Sequence, residues 1–235
     1  MQSRTHPVSA VSYSWCIAAI VVFIIAGLVW WTLRTPPIVR AIRDQDYNAL
    51  QTLINRGNGL ESTSSLFLAD NFSQFTPLLW ACNEQDATSI SMLIDAGANV
   101  SYTEPKFNRN ALHVLFSSAR MRPTTECVRL LVLAGVPVDA PQSNGDTPLI
   151  SAIGWKDAAA LQIMLGSSKL DKSQVPLSKL LWQAIWVDSP QVVQVLLDHG
   201  ADPREEMSPR VNSLEYATSK DKSPEVIAIL ERAMR

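Results

Sequence analysis

Beyond residue 35 the apolar positions recur with helical spacing. Ile90, Leu93 and Ile94 form one set, Val128, Leu131 and Val132 a second, and Val193, Leu196 and Leu197 a third. Positions three and four apart share one face of a helix, so each set predicts a helix with one buried stripe. Each set runs into a glycine, at Gly97, Gly135 or Gly200. A helix commonly stops there on a left-handed residue. A shorter apolar block precedes each of these helices: "TPLLWA" (Thr76–Ala81), "NALHVL" (Asn110–Leu115), "TPLISA" (Thr147–Ala152), "KLLWQA" (Lys179–Ala184) and "NSLEYA" (Asn212–Ala217). "PPIVRA" (Pro36–Ala41) is a degraded first copy. These blocks end at 41, 81, 115, 152, 184 and 217, in steps of 40, 34, 37, 32 and 33. A fixed period of this size signals stacked helix pairs, none of which buries its apolar face alone.

The amino-terminal part follows another pattern. From Pro7 to Leu33 no charged residue occurs, and "WCIAAIVVFIIAGLVWWTL" (Trp15–Leu33) is almost wholly apolar. About 20 such residues cross the ~30 Å hydrocarbon core as a helix. Trp15 and the Trp30-Trp31 pair flank the run where interfacial aromatics belong. A cleaved signal peptide fits less well, because the apolar run is long and the bulky "VWWTLRTPP" that follows carries no small-residue cleavage site. The expected organisation is a tail (1–14), a transmembrane helix (15–33) and a repeat domain (36–235) of five to six repeats. Arg34, Arg40 and Arg43 after the span, against Arg4 before it, favour a cytosolic domain by charge. The short tail leading into a first apolar segment favours export, and a periplasmic domain anchored in a bacterial inner membrane is the expectation adopted.

The T-P-L-x-x-A blocks, the glycine-stopped helices and their period resemble the ankyrin-repeat family, over Pro36 to Arg235. The resemblance implies an all-α solenoid of helix-turn-helix repeats. Thr76 and Thr147 are placed to cap first helices, with Pro77 and Pro148 in the first turn where no N–H is needed. Ala81, Ala152 and Ala184 are small enough for repeats to approach closely. Three departures are visible: a long connection at Glu61–Phe75, a lengthened inter-helix turn at Ser117–Thr125 and a shortened fourth repeat near Gly166.

Composition then narrows the function. The net charge is −2, and no basic stripe is visible, which argues against nucleic acid as a partner. Cys16, Cys82 and Cys127 lack metal-ligand spacing, and none of His6, His113 and His199 pairs closely with a cysteine. No phosphate loop or dinucleotide fingerprint occurs, so neither an enzyme nor a cofactor is expected. His113 occupies the place of the family's T-P-L-H histidine, which implies a structural hydrogen-bonding role. His199, just before Gly200, reads as a surface residue. Cys82 and Cys127 read as two buried thiols, with a disulfide as the alternative in an exported domain.

The resemblance implies a protein partner, bound on the concave face near the end of each first helix and at the turn tips. The concave positions map to Arg43-Asp44, Asn83-Glu84, Gly154-Trp155, Trp186-Val187 and Ser219-Lys220. Trp155 and Trp186 are either interface anchors or packing folded back on the next helix. Trp80 and Trp182 lie within first helices in matching registers and are expected to approach that face as well. Phe75 and Phe107, in the tips "NFSQF" and "KFNRN", are expected as exposed apolar contacts. An anchor followed by a short solenoid is similar to small bacterial envelope ankyrin proteins, some of which act as immunity proteins against toxins. The alternatives are a membrane scaffold that recruits an enzyme or assembly factor and, in another class, an enzyme with an unrecognised site.

Overall fold

A computed structural model of the chain describes residues 35–57, 59–65, 74–118, 123–206 and 211–235. The tail and the apolar span at 15–33 lie outside these described residues. Among the described residues no helix is long and apolar enough to cross a membrane.

The described residues form six antiparallel helix pairs. These are α1 (Pro37–Arg43) with α2 (Tyr47–Asn55), α3 (Pro77–Glu84) with α4 (Ala87–Asp95), and α5 (Ala111–Ser117) with α6 (Thr125–Ala134). They continue as α7 (Pro148–Gly154) with α8 (Ala158–Leu165), α9 (Leu177–Trp186) with α10 (Pro190–Asp198), and α11 (Ser213–Ser219) with α12 (Pro224–Ala233). Each first helix packs on the first helix of the next pair, and each second helix on the next second helix. The result is a two-layered stack with one continuous core.

The expected core is present. Leu78, Leu149, Leu181, Ile90, Leu93, Val128, Leu131, Val193 and Leu196 are all buried, as are Ala81, Ala152 and Ala184 between repeats. The Thr76 hydroxyl accepts from Leu79 N at 3.4 Å and the Thr147 hydroxyl from Ile150 N at 3.3 Å, with proline opening both helices. Gly97, Gly135 and Gly200 sit at φ of 85°, 96° and 95°, left-handed as expected. Gly166 does not share this role. Its φ is −79°, and the short fourth repeat turns instead through a 3-10 helix at Lys172–Gln174.

Two features depart from a purely helical reading. The long connection carries a two-stranded antiparallel hairpin, β1 (Ser64–Ser65) and β2 (Gln74–Phe75), with Ser64 opposite Phe75. The turn inside most repeats is also tighter than the apolar pattern indicates. The fourth residue after each block-ending alanine is left-handed without being glycine: Gln45, Gln85, Lys156, Asp188 and Asp221, at φ of 51° to 57°. Such a conformation costs a non-glycine residue about 1 kcal/mol or more. It lets the next residue cap the second helix at once. Asp46, Asp86 and Asp157 accept from Ala49 N, Thr88 N and Ala160 N at 2.9, 3.1 and 3.0 Å. Repeat three turns differently. Ser118 is extended, and α6 begins only after Thr124, whose hydroxyl accepts from Cys127 N.

Candidate protein-binding face

The ends of the first helices and the turns after them form the candidate face. Trp155 stands at the end of α7, where Lys156 turns left-handed and Asp157 starts α8. Its indole Nε1–H donates to the Phe116 carbonyl of the preceding repeat at 2.9 Å. This bond leaves the ring 37% exposed. Trp155 therefore both packs back and presents an edge. Phe116, Gly154, Trp155 and His113 line a shallow groove of about 360 Å³.

Trp186 behaves differently. It is the last residue of α9 and is 69% exposed, with its carbonyl accepting from Lys222 Nζ at 2.8 Å. Lysines tie these turns together, because Lys156 Nζ also donates to the Asp188 carbonyl at 3.3 Å. Helix ends expose carbonyls, and a cation there is favourable. The remaining concave positions are more modest. Asn83 and Glu84 are half-buried, with Asn83 Nδ2 donating to Glu84 Oε1 at 3.2 Å and the Asn83 carbonyl accepting from Ser118 Oγ at 2.9 Å. Arg43 is half-buried, while Asp44, Gly154, Ser219 and Lys220 are exposed.

The other aromatic expectations are corrected. Phe75 is not an exposed tip residue, since it is 2% exposed. The β1–β2 pairing turns its ring inward, edge-on to Trp80 at 5.9 Å and under the Arg109 guanidinium at 5.6 Å. Trp80 does not reach the open face either. It is buried, and its Nε1–H donates to Ser64 Oγ of the hairpin at 2.7 Å. Trp182 is half-buried against Tyr216 of the next repeat, with ring centroids 4.6 Å apart. Phe107 is half-buried, with Arg109 at 4.8 Å and Lys106 at 4.7 Å over its ring.

The Phe107 tip is held by a buried acid that sequence reasoning missed. Glu104 is fully buried, and its carboxylate accepts from Lys106 N, Phe107 N and Arg109 Nε, each at 2.9 Å. Arg109 is thereby fixed between the rings of Phe75 and Phe107, a cation–π sandwich. The local signal was the E-P-K-F-N-R turn, in which one acid can serve three donors.

His113 has the structural role implied by the family motif. It is buried, its Nδ1 meets Asn110 Oδ1 at 2.8 Å, and its Nε2 meets the Asp146 carbonyl of the next repeat at 3.1 Å. Burial, helped by the Arg109 charge, holds its pKa below the ordinary histidine value, so the ring stays neutral near pH 7. His199 is half-buried at the end of α10, its Nδ1 against the Val195 carbonyl at 2.8 Å. Cys82 and Cys127 are buried free thiols, and burial pushes both up from the usual thiol range. Among the described residues no group of three or more metal-ligating side chains comes together.

Comparison with known proteins bears on the fold. No family model matches the chain. The ankyrin repeat domain-containing protein SAT10 of Stachybotrys chartarum is 28% identical over 176 residues, which are 74% of this chain but 8% of that protein. The chain thus spans under a tenth of the length of the curated relative it matches. Among solved structures, the ankyrin repeat domain of Bcl-3, a member of the IkappaB family, superposes with a TM-score of 0.66 at 21% identity, covering 85% of this chain and 86% of that one. The human ASB11 ankyrin repeat domain gives 0.64 at 19% identity, covering 86% and 85%. An ankyrin repeat domain from Acinetobacter baumannii gives 0.63 at 19% identity, covering 84% and 97%.

Proposed function

We propose that this chain, an ankyrin-repeat solenoid in fold, binds another protein stoichiometrically through its first-helix face, with Trp186 as the principal anchor and Trp155 beside it. The exposure of Trp186 carries this reading. A tryptophan side chain offers about 150–250 Å², so the 69% left in water is roughly 100–170 Å². At about 25 cal/mol per Å², docking over this ring would contribute roughly 2.5–4 kcal/mol. The helical scaffold and its buried core support a rigid face, and rigid faces lose little entropy on binding.

The fuller reading places this face beside a membrane. The apolar run at 15–33 is long enough to span a bilayer, and only "RTP" (Arg34–Pro36) separates it from α1. In that reading the span sits in a bacterial inner membrane, the repeats lie in the periplasm, and the occupant is a toxin neutralised by masking. A scaffold for a resident envelope enzyme is the alternative that the same face would serve.

One experiment separates these readings. Full-length protein and its Trp186→Ala variant are used to capture partners from native membranes, identified by mass spectrometry. The binding reading expects one partner in one-to-one ratio, lost or weakened at least about 30-fold with Trp186→Ala. A toxin that loses activity in the complex supports immunity, whereas a resident enzyme that keeps its activity supports the scaffold and sinks immunity. Equal capture by the variant refutes the face. Carboxy-terminal alkaline phosphatase and fluorescent-protein fusions test topology, and a fluorescent, phosphatase-inactive result overturns the periplasmic placement.

A further inference from the structure

We infer that the second-helix face at the carboxy-terminal end of the solenoid is a self-association surface, which a second copy of this chain covers by antiparallel packing of α12 on α12. A groove of about 600 Å³ runs between α10 and α12 on this face. Its lining is mainly apolar or small, including Ala158, Val195, Ala228 and Ile229. Glu225 and Arg232 edge the same groove. Both are exposed, and neither forms an ion pair among the described residues.

The spacing of these residues identifies the occupant. Glu225, Ala228, Ile229 and Arg232 fall at i, i+3, i+4 and i+7, a single stripe along α12. An isologous contact needs a surface complementary to itself about a two-fold axis. The midpoint between Glu225 and Arg232 falls between Ala228 and Ile229. Antiparallel packing about that midpoint sets Glu225 of each copy against Arg232 of the other. It also sets the small Ala228 against the larger Ile229, so the helices approach closely and the apolar floor is covered. A parallel arrangement would instead oppose like charges at both ends. The surface lies on the second helices, away from the proposed partner face on the first helices, so the two readings stand or fall separately.

Charge reversal tests this on full-length protein in detergent micelles, with mass measured by light scattering after size exclusion and affinity by sedimentation equilibrium. Wild type is expected to dimerise reversibly. Glu225→Arg alone and Arg232→Glu alone each replace two attractions by two repulsions, and each is expected to raise the dissociation constant by about tenfold or more. Mixed one-to-one, the two single variants oppose unlike charges again, and a mixed dimer near wild-type affinity is expected. The E225R/R232E double variant should likewise recover. All four positions of the stripe are exposed or half-buried, so circular dichroism should be unchanged. A wild type that stays monomeric overturns the inference. So does a dimer indifferent to both single reversals, which would place the contact elsewhere, and so does failure of the mixture to recover.

Discussion

The inter-helix turns allow a graded test of the fold, because the same aspartate position occurs in three environments. Asp46 is exposed and caps one backbone N–H. Asp157 is buried and caps one. Asp86 is buried and does more: it accepts from Thr88 N at 3.1 Å, from Ser89 Oγ at 2.5 Å and from the Tyr47 hydroxyl of the preceding repeat at 3.3 Å. Removing an N-cap costs about 1 kcal/mol. A hydroxyl bonded to a charged group adds about 1.5–3 kcal/mol, and Ser89 is fully buried, so water cannot replace the lost acceptor. The longer bond from half-exposed Tyr47 adds little. Asp86→Ala should therefore cost roughly 3 kcal/mol, Asp157→Ala between 1 and 2 kcal/mol at about the upper range of a cap, and Asp46→Ala about 1 kcal/mol. Urea unfolding followed by circular dichroism reads these values. With a slope of about 2 kcal/mol per molar, Asp86→Ala lowers the midpoint by roughly 1.5 M. The D86A/S89A double variant removes the stranded hydroxyl along with its acceptor and should be more stable than the sum of the singles by about 1 kcal/mol. Equal costs at positions 46 and 86, or strict additivity of the pair, would refute the assignment of Asp86 as the hub of the second repeat's turn.

Three further outcomes are expected. Gly97→Ala, at φ 85°, should destabilise by about 1 kcal/mol, whereas Gly154→Ala, in ordinary helical geometry with open space around the added carbon, should stabilise by about 0.5 kcal/mol; thermal unfolding reads both signs. The neutral ring of His113 contributes stability fully above the unfolded pKa near 6.5. That contribution is lost as pH falls through the lowered folded value, so wild type should lose more stability between pH 7.5 and 5 than His113→Asn does in parallel urea titrations. Cys82 and Cys127, buried with raised pKa, should react with iodoacetamide at pH 8 only after denaturation; rapid labelling of both in the native protein, read by mass spectrometry, would contradict their burial.

Much of the fold was legible along the chain. The i, i+3, i+4 stripe at Ile90, Leu93 and Ile94 recurs because one helix face is buried in every repeat, and burial leaves a periodic mark. Thr76 and Thr147 were readable as caps, and Gly97, Gly135 and Gly200 as stops, because capping and left-handed turns are local chemistry. The left-handed Gln45, Gln85, Lys156 and Asp188 were less visible, although an aspartate or serine follows each one. Residue type alone does not announce positive φ outside glycine.

The candidate face divides along the same line. Trp155 and Trp186 were placed correctly at helix ends by register, but their difference in exposure was not in the sequence. It depends on whether the Phe116 carbonyl of another repeat lies within reach of the indole N–H. Phe75 shows the limit most plainly. Its position at the end of a long connection reads as a tip, yet pairing of β1 with β2 and packing against Trp80 and Arg109 bury it. The sequence by itself determined the repeat, its period, its caps and its core, because these follow from interactions within some 30 residues. Tertiary structure alone decided which aromatics face water, because that depends on the β1–β2 pairing and on groups up to 39 residues away brought alongside by stacking.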